Sequence, residues 1–368
     1  MNIGRIPQKH MTWSFHPARE AFHQFRHQWD ALNLAQNNHI LLDSGFVAAL
    51  IQHFVSREVL LGIKDDASNP AMALMERKGL GVWETFQPSC APLGLILYGA
   101  GDRGAENLAS LMRSLPGYAL QLGVLQQDPD CSGFSAVNGS DWVEKLDYIQ
   151  TARIPLDGTF QEYWDGRESR LRRNNDRLRR RMAEKGLRLD FAAIRDPAQV
   201  GDAIVQLARL ESKGWKAKEG TAVSVDNAQG RFYQALLEHF CARDEGVIYQ
   251  LRIDDQVVAT DICVTRGEML VLLKTAYDED WSVYSPAFLL REDIVRELYS
   301  AGTVRSYEFY GPLMEYQLRW TRNIRTLYHL TCFRHRWVRS ARNFVKRMRN
   351  HQPATPVRSP TATPTESE

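Results

Sequence analysis

The chain has 368 residues, of which 44% are hydrophobic and 10% aromatic, and a formal net charge of +2. This is enough apolar material for two domains of ordinary size and excludes global disorder, while the small net charge argues against bulk binding of polyanions. The five cysteines are scattered, with no Cys-x-x-Cys pair, so they read as reduced thiols of a cytosolic protein rather than a disulfide framework or a metal site.

The amino terminus, MNIGRIPQKH, has no apolar core of a signal peptide, and apolar runs such as Leu93 to Tyr98 are too short to cross a bilayer. Phe15 to Leu34 reads as a helical entry segment. Val59 to Phe86 then alternates strand and turn three times, with turn chemistry at Asp65-Asp66 and Asn69-Pro70. Glu106 to Leu115 is helical, and Pro116-Gly117 leads into a strand from Tyr118 to Leu125. Val247 to Tyr277 repeats the three-strand layout, with turns at Asp254-Asp255-Gln256 and Arg266-Gly267. Ala287 to Ser300 repeats the helix, and Ala301-Gly302 leads into a strand from Thr303 to Phe309. Two copies of one layout, roughly 190 residues apart, point to tandem α/β domains rather than a solenoid.

Between the copies runs FQEYWDGRESRLRRNNDRLRRRMAEKG, Phe160 to Gly186. Phe160, Tyr163, Trp164, Leu171, Leu178 and Met182 form a narrow apolar stripe of one predicted helix, surrounded by eight arginines. Such a helix is either a solvated connector or a basic surface for an anionic donor or an RNA. A last helix, predicted over 333–349, sets Phe333, Trp337, Ala341, Phe344, Val345 and Met348 against an all-basic remainder. It can pack on the body or lie on an anionic membrane surface. The Pro/Thr/Ser-rich residues 350–368 have no core-forming pattern and read as a disordered tail.

The most informative stretch is Glu268 to Ser300. A hydrophobic strand enters a polar loop, and the loop opens a helix at Ser285-Pro286-Ala287. Ser285 suits the N-cap and Pro286 the first helical position, and a strand delivering a helix N-terminus makes an anion site. Asp261 and Lys274 lie on adjacent strands and are expected to form an ion pair, either structural or placed to orient or deprotonate an acceptor. Backbone N–H groups near Leu273 and Thr275 can polarise a carbonyl. Tyr310 and Tyr316 are candidate proton donors to a leaving group or packed aromatics. Glu211, Trp215 and Lys216 can wall a substrate, with Trp215 stacked on a sugar face or buried in the core. His239 and His329 stand alone and read as structural.

In order and spacing, the pieces RLRRNNDRLRRRM, ARLESKGWKAKEGTAV, RFYQALLEHF, VVATDICV, LLKTAYDED, SPAFLL and YGPLMEYQLRW resemble the GNAT acyltransferase superfamily. The nearest likeness is to its tandem branch of Fem-type ligases and cellulose-biosynthesis (CelD-like) acetyltransferases. The resemblance covers about Phe160 to Trp320, and the first half matches in layout only. It implies an α/β (α+β) fold of two tandem GNAT-like domains, each a mixed, mostly antiparallel sheet flanked by helices. The domains are expected at 1–157 and 187–332, joined by the Arg-rich helix 158–186. It implies an acyl-CoA co-substrate, with the pyrophosphate near Tyr284, Ser285, Pro286, Ala287 and Phe288. Tyr277, Asp278, Gln317 and Trp320 fall on the substrate side. Ala287 stands where the family commonly has glycine, and Gln317 where it commonly has lysine. No metal is implied.

The expected function is an acyl-CoA-dependent N- or O-acyltransferase of envelope or exopolysaccharide biosynthesis, acting on a small-molecule or glycan-precursor acceptor. It would be cytoplasmic, with peripheral membrane contact through 333–349. The alternatives are an aminoacyl-tRNA-dependent transferase and a non-catalytic module that binds a membrane or a partner.

Overall fold

Strand-forming runs separated by short turns build the protein around one continuous sheet, seen in a computed structural model that describes residues 13–55, 58–99, 104–132, 134, 141–213 and 223–342. The first half contributes β1 (Ser14–Pro17), β2 (Val59–Lys64), β3 (Ala71–Gly79), β4 (Val82–Thr85), β5 (Ile96–Tyr98), β6 (Gln121–Gln127) and β7 (Val143–Pro155). Its helices are α1 (Ala18–Ala21), α2 (Arg26–Gln36), α3 (Ser44–Phe54) and α4 (Gly104–Ser114). The second half begins with α5 (Phe160–Asp165), α6 (Ser169–Glu184), β8 (Leu189–Ile194), α7 (Val200–Lys213) and α8 (Ala228–Cys241). It continues through β9 (Gly246–Ile253), β10 (Gln256–Arg266), β11 (Met269–Tyr277), α9 (Pro286–Ala301), β12 (Ser306–Glu308) and β13 (Ile324–Phe333).

The repeated layout is present. The β2–β3–β4 and β9–β10–β11 meanders are antiparallel. Each is followed by a helix and a strand that returns parallel, β4 beside β6 and β11 beside β12. The β9–β10 hairpin turns on Asp254 and Asp255, both with positive φ (50° and 71°), which a two-residue hairpin loop of matching twist requires.

The two halves exchange their last strands. The sheet order is β1-β2-β3-β4-β6-β13-β7-β12-β11-β10-β9-β8, with β5 beside β3. Strand β7 follows β6 in sequence but pairs with β12, while β13 closes the chain against β6. Each half therefore completes the sheet of the other, and β7 pairs with β13 at the join. Helices α3 and α8 meet across the halves through Phe46, Phe54 and Phe232, whose rings make edge contacts at 5.3–5.8 Å. Helices α7 and α8 pack on this face of the sheet, and α5, α6 and α9 pack on the opposite one.

Three expectations need correction. The Arg-rich segment is two helices, because the chain turns at Gly166–Glu168 between α5 and α6. The predicted apolar stripe holds: Tyr163, Trp164, Leu171, Leu178 and Met182 are buried, and Phe160 is half-buried against the same core. The strand predicted from Thr303 to Phe309 shrinks to Ser306–Glu308. Phe333 is the last residue of β13 and not the start of a helix. Helical structure begins at Arg336 and is described to residue 342. There Arg336 pairs with Asp141 at 2.8 Å and Arg342 with Glu144 at 3.2 Å, so acids of the body meet this basic face. No helix among the described residues is long and apolar enough to cross a membrane.

Candidate active site

Strand β11 outruns its parallel neighbour. β12 pairs only with Met269–Val271, whereas β11 continues to Tyr277. The splay opens a cleft at the end of the sheet, beside the N-terminus of α9. A cavity of 450 Å³ fills it, lined by Thr275 and Tyr277 of β11, by Ser282, by Ser285 to Phe288 and Arg291, and by Tyr316 and Trp320. A second hollow of 430 Å³ adjoins it, sharing Ser285 and Phe288, and is lined by Arg170, Arg319 and Arg322 with Glu168 and Glu315. The first is mostly apolar and aromatic and the second mostly charged.

A β-bulge sets the chemistry of the floor. Cys263 faces Leu272, but Ile262 faces Lys274, which leaves Leu273 as an extra residue in β11. Without the bulge Asp261 would lie opposite Lys274. With it, Asp261 lies opposite Thr275, and Lys274 points to the other face of the sheet. The expected Asp261–Lys274 ion pair therefore does not form. Lys274 pairs with Glu211 of α7 at 3.2 Å, and Glu211 also accepts a 2.8 Å hydrogen bond from the Val223 amide.

Asp261 pairs instead with Arg291 of α9 at 2.7 Å, and both are almost fully buried. Arg291 also donates to Thr275 Oγ1 (3.2 Å), and the Tyr307 hydroxyl donates to Asp261 (3.2 Å). The guanidinium lies over the rings of Phe309 (5.2 Å) and Tyr316 (5.8 Å). Burial alone would lower its pKa, but Asp261 beside it raises the pKa well above the ordinary arginine value, so it stays charged. Arg291 Nε and Asp261 Oδ1 have no hydrogen-bond partner among the described residues. The motif pieces did not single out Arg291. The signal was present, because it stands one helical turn from Ala287 and from Val295 in an otherwise buried stripe of α9.

Ser285 sits at the N-cap position, but in the left-handed conformation (φ 48°, ψ 53°) and without a side-chain capping bond. The expected hydroxyl cap is thus absent, and the main-chain oxygen of Ser285 receives the Phe288 amide at 2.9 Å. Pro286 occupies the first turn as expected. Tyr284 is buried under Trp281, with the Arg181 guanidinium 5.6 Å above its ring. Asp278 is fully buried and held by Lys213 (3.1 Å) and Gln256 (3.3 Å). Gln317 is turned inward, its oxygen accepting from the Met314 amide at 2.8 Å. Trp320 packs between Trp164 and Phe288 at 6.0 and 5.9 Å and forms part of the cavity wall. Trp215 and Lys216 lie outside the described residues.

Tyr310 is not in the cleft. Its hydroxyl donates to Asp128 (2.9 Å) and contacts His39 Nε2 (2.7 Å), in a buried network where the halves meet. Of the four residues named for catalysis, only Tyr316 lines the cavity. Asp261 sits beneath it through Arg291, and Lys274 lies on the opposite face.

The architecture is that of two tandem GNAT-like halves, with a splayed strand pair beside a helix N-terminus in the second. Residues 169–318 match the family model described as an acetyltransferase (GNAT) domain, a match that covers less than half of the chain. That match is to a domain of the acyltransferase class. No curated protein matches the sequence. Among solved structures, it is similar to the C-terminal domain of a putative lysylphosphatidylglycerol synthetase from Agrobacterium fabrum. That match has 13% identity and a TM-score of 0.56, over 90% of this chain and 96% of the other. It is also similar to L-PGS from Bacillus licheniformis, at 12% identity and TM-score 0.54 over 88% and 96% of the two chains. FemX matches at 10% identity and TM-score 0.54 over 86% and 98%. At these identities the likeness concerns the fold.

Proposed function

We propose that the protein is an acyl-CoA-dependent N- or O-acyltransferase whose acceptor is a sugar or amino-sugar intermediate of envelope or exopolysaccharide biosynthesis. The supporting observation is the two-part cleft, with an apolar cavity between the splayed strands continuous with an arginine-lined hollow across the α9 N-terminus. A thioester donor has this polarity, an acyl–pantetheine arm ending in phosphates. Phosphates favour a helix N-terminus, where amides and the positive dipole end point outward.

In the reaction, the acceptor nitrogen or oxygen attacks the thioester carbonyl, the new acyl bond forms, and the C–S bond breaks. The proton lost by the acceptor ends on the departing sulfur. Amides of β11 beyond the bulge are the donors placed for the developing oxyanion, and Tyr316 is the hydroxyl placed to protonate the thiolate. Asp261 holds Arg291 and acts as a positioning residue. Glu211 and Lys274, on the other face of β11, suit the acceptor's side of the splay.

The test is calorimetric titration of acetyl-CoA and free CoA into wild type and Ser285→Asp. Aspartate tolerates the left-handed conformation and favours a helix N-terminus, so the variant keeps the fold while repelling phosphates. Saturable binding to wild type, weakened by about tenfold or more in the variant, is expected. Absence of binding by any CoA species would refute the reading.

One observation favours a second donor. Arg170, which lines the charged hollow, and Arg173, Arg177 and Arg180 are exposed along α6, a surface suited to the phosphates of an aminoacyl-tRNA. RNA affinity that falls steeply with salt, together with amino-acid transfer, would establish that reading instead.

A further inference from the structure

On the α7 face of the sheet, opposite the cleft, lies an open groove of 780 Å³ that the acyl-transfer chemistry does not use. It runs between the first half of α7 and strands β9 and β10. The volume is that of a pocket for an extended small ligand, and its walls define the ligand's character.

Four side-chain amides line it: Gln199, Gln206, Gln250 and Gln256. A primary amide both donates and accepts, so four of them suit a ligand that presents donors and acceptors together. Asp202 and Asp255 are balanced by Arg209 and Arg252. Three of these four groups also have hydrogen-bond or ion-pair partners within the protein. Arg209 donates to the Val257 carbonyl (2.6 Å) and to Gln206 (3.1 Å), Arg252 donates to Gln250 (3.0 Å), and Asp255 is paired with Arg188. Two acids and two arginines leave the lining without net charge, so a strongly charged ligand gains no net attraction here. Arg252 nevertheless leaves its Nε–H without a partner in the wall, a buried donor that ordinarily finds one.

A peptide fits less well. Peptide docking on a sheet uses the free edge of a strand, and the edge strand β8 contributes only Ile194 to this wall. The remaining class that is neutral, hydrophilic and dense in mixed donors and acceptors is the saccharides. The groove also opens at the same end of the sheet as the cleft. Gln256 in its wall donates to Asp278, and Asp278 follows Tyr277 of the cleft.

We infer that this groove is a second binding site, for a neutral saccharide chain. It retains the chain on the face of the sheet opposite the reacting centre. The inference does not depend on which donor, if any, occupies the cleft, because its readout is binding and not turnover.

The experiment titrates the full-length protein calorimetrically with two neutral hexasaccharides of different linkage, cellohexaose and maltohexaose. An anionic hyaluronan hexasaccharide and a Gly-Ser hexapeptide serve as the charged and peptide probes. The variants are Gln206→Leu, Gln199→Leu and Ser285→Asp, each checked for an unchanged thermal midpoint. The expected result is saturable binding of a neutral hexasaccharide, weakened about tenfold by Gln206→Leu and by Gln199→Leu, and unchanged by Ser285→Asp. No binding of either neutral hexasaccharide would overturn the inference. So would binding that survives both glutamine variants, binding abolished by Ser285→Asp, or preference for the peptide or the anionic probe. Loss of sugar binding in Ser285→Asp would assign the saccharide to the cleft, whereas loss of CoA binding alone leaves the groove intact.

Discussion

Arg291→Met will destabilise the folded protein by about 3–5 kcal/mol, measured as a fall in the guanidinium unfolding midpoint. Arg291 and Asp261 are 2% and 1% exposed, so removing the cation strands a carboxylate in the core. Among the described residues the remaining donor to Asp261 Oδ2 is the Tyr307 hydroxyl, and Oδ1 has none. The double variant Arg291→Met, Asp261→Leu will recover most of the loss, because a buried ion pair replaced by apolar groups of similar volume is often neutral. A single variant costing less than about 1 kcal/mol would show that Asp261 is not held as an isolated buried charge. The double variant also separates stability from activity. If Arg291 and Asp261 position Tyr316 and Thr275, turnover stays low even after the fold is restored.

The second large effect lies where the halves meet. Arg325 of β13 binds Asp128, after β6, at 2.9 Å and Glu308 of β12 at 2.7 Å. One guanidinium therefore satisfies acids from both halves of the chain, at the join made by the strand exchange. Arg325→Met will cost about 3–5 kcal/mol, because two buried carboxylates lose the guanidinium they share. Burial would raise the pKa of Asp128, but Arg325 outweighs it and holds the carboxyl below the ordinary carboxylate value. The stability from Asp128 is therefore present above that ordinary value and is lost only as pH falls below it.

His39, in the same network, behaves in the opposite sense. Burial lowers its pKa from 6.5 to about 4. Between pH 6.5 and 4 the unfolded chain binds a proton that the folded chain refuses, so stability falls with acidification through this window. The loss is on the order of 3 kcal/mol by pH 4. His39→Gln, which keeps a polar partner for Tyr310, will flatten the stability profile between pH 4 and 6.5. A slope unchanged by this substitution would assign the acid sensitivity to other groups.

The repeated meanders, the helix that follows each, and the cleft at Ser285–Phe288 were all legible because they rest on local signals. Alternating apolar residues, Asp-rich turns and Gly-containing turns act over a few neighbours, as does proline at a helix start. The same holds for the apolar stripe through Tyr163, Trp164, Leu171, Leu178 and Met182. That Asp261 and Lys274 do not pair was not legible. Even strand alternation sets them opposite each other, but a single extra residue at Leu273 reverses the face on which Lys274 lies. Nothing in the composition of LVLLKTAY marks where that residue is accommodated.

What the sequence determined by itself is therefore the class of fold, its duplication and the segment that opens the site, each fixed by periodicity and turn chemistry. What the tertiary structure decided is partnership. It sets Arg291 against Asp261, Glu211 against Lys274, and Tyr310 against His39 and Asp128 across the molecule. It also passes β7 and β13 into each other's sheets. Strand pairing is chosen by the complementarity of whole edges and buried charge by whatever residue stands opposite. Both depend on contacts between residues far apart in the chain, which no local pattern encodes.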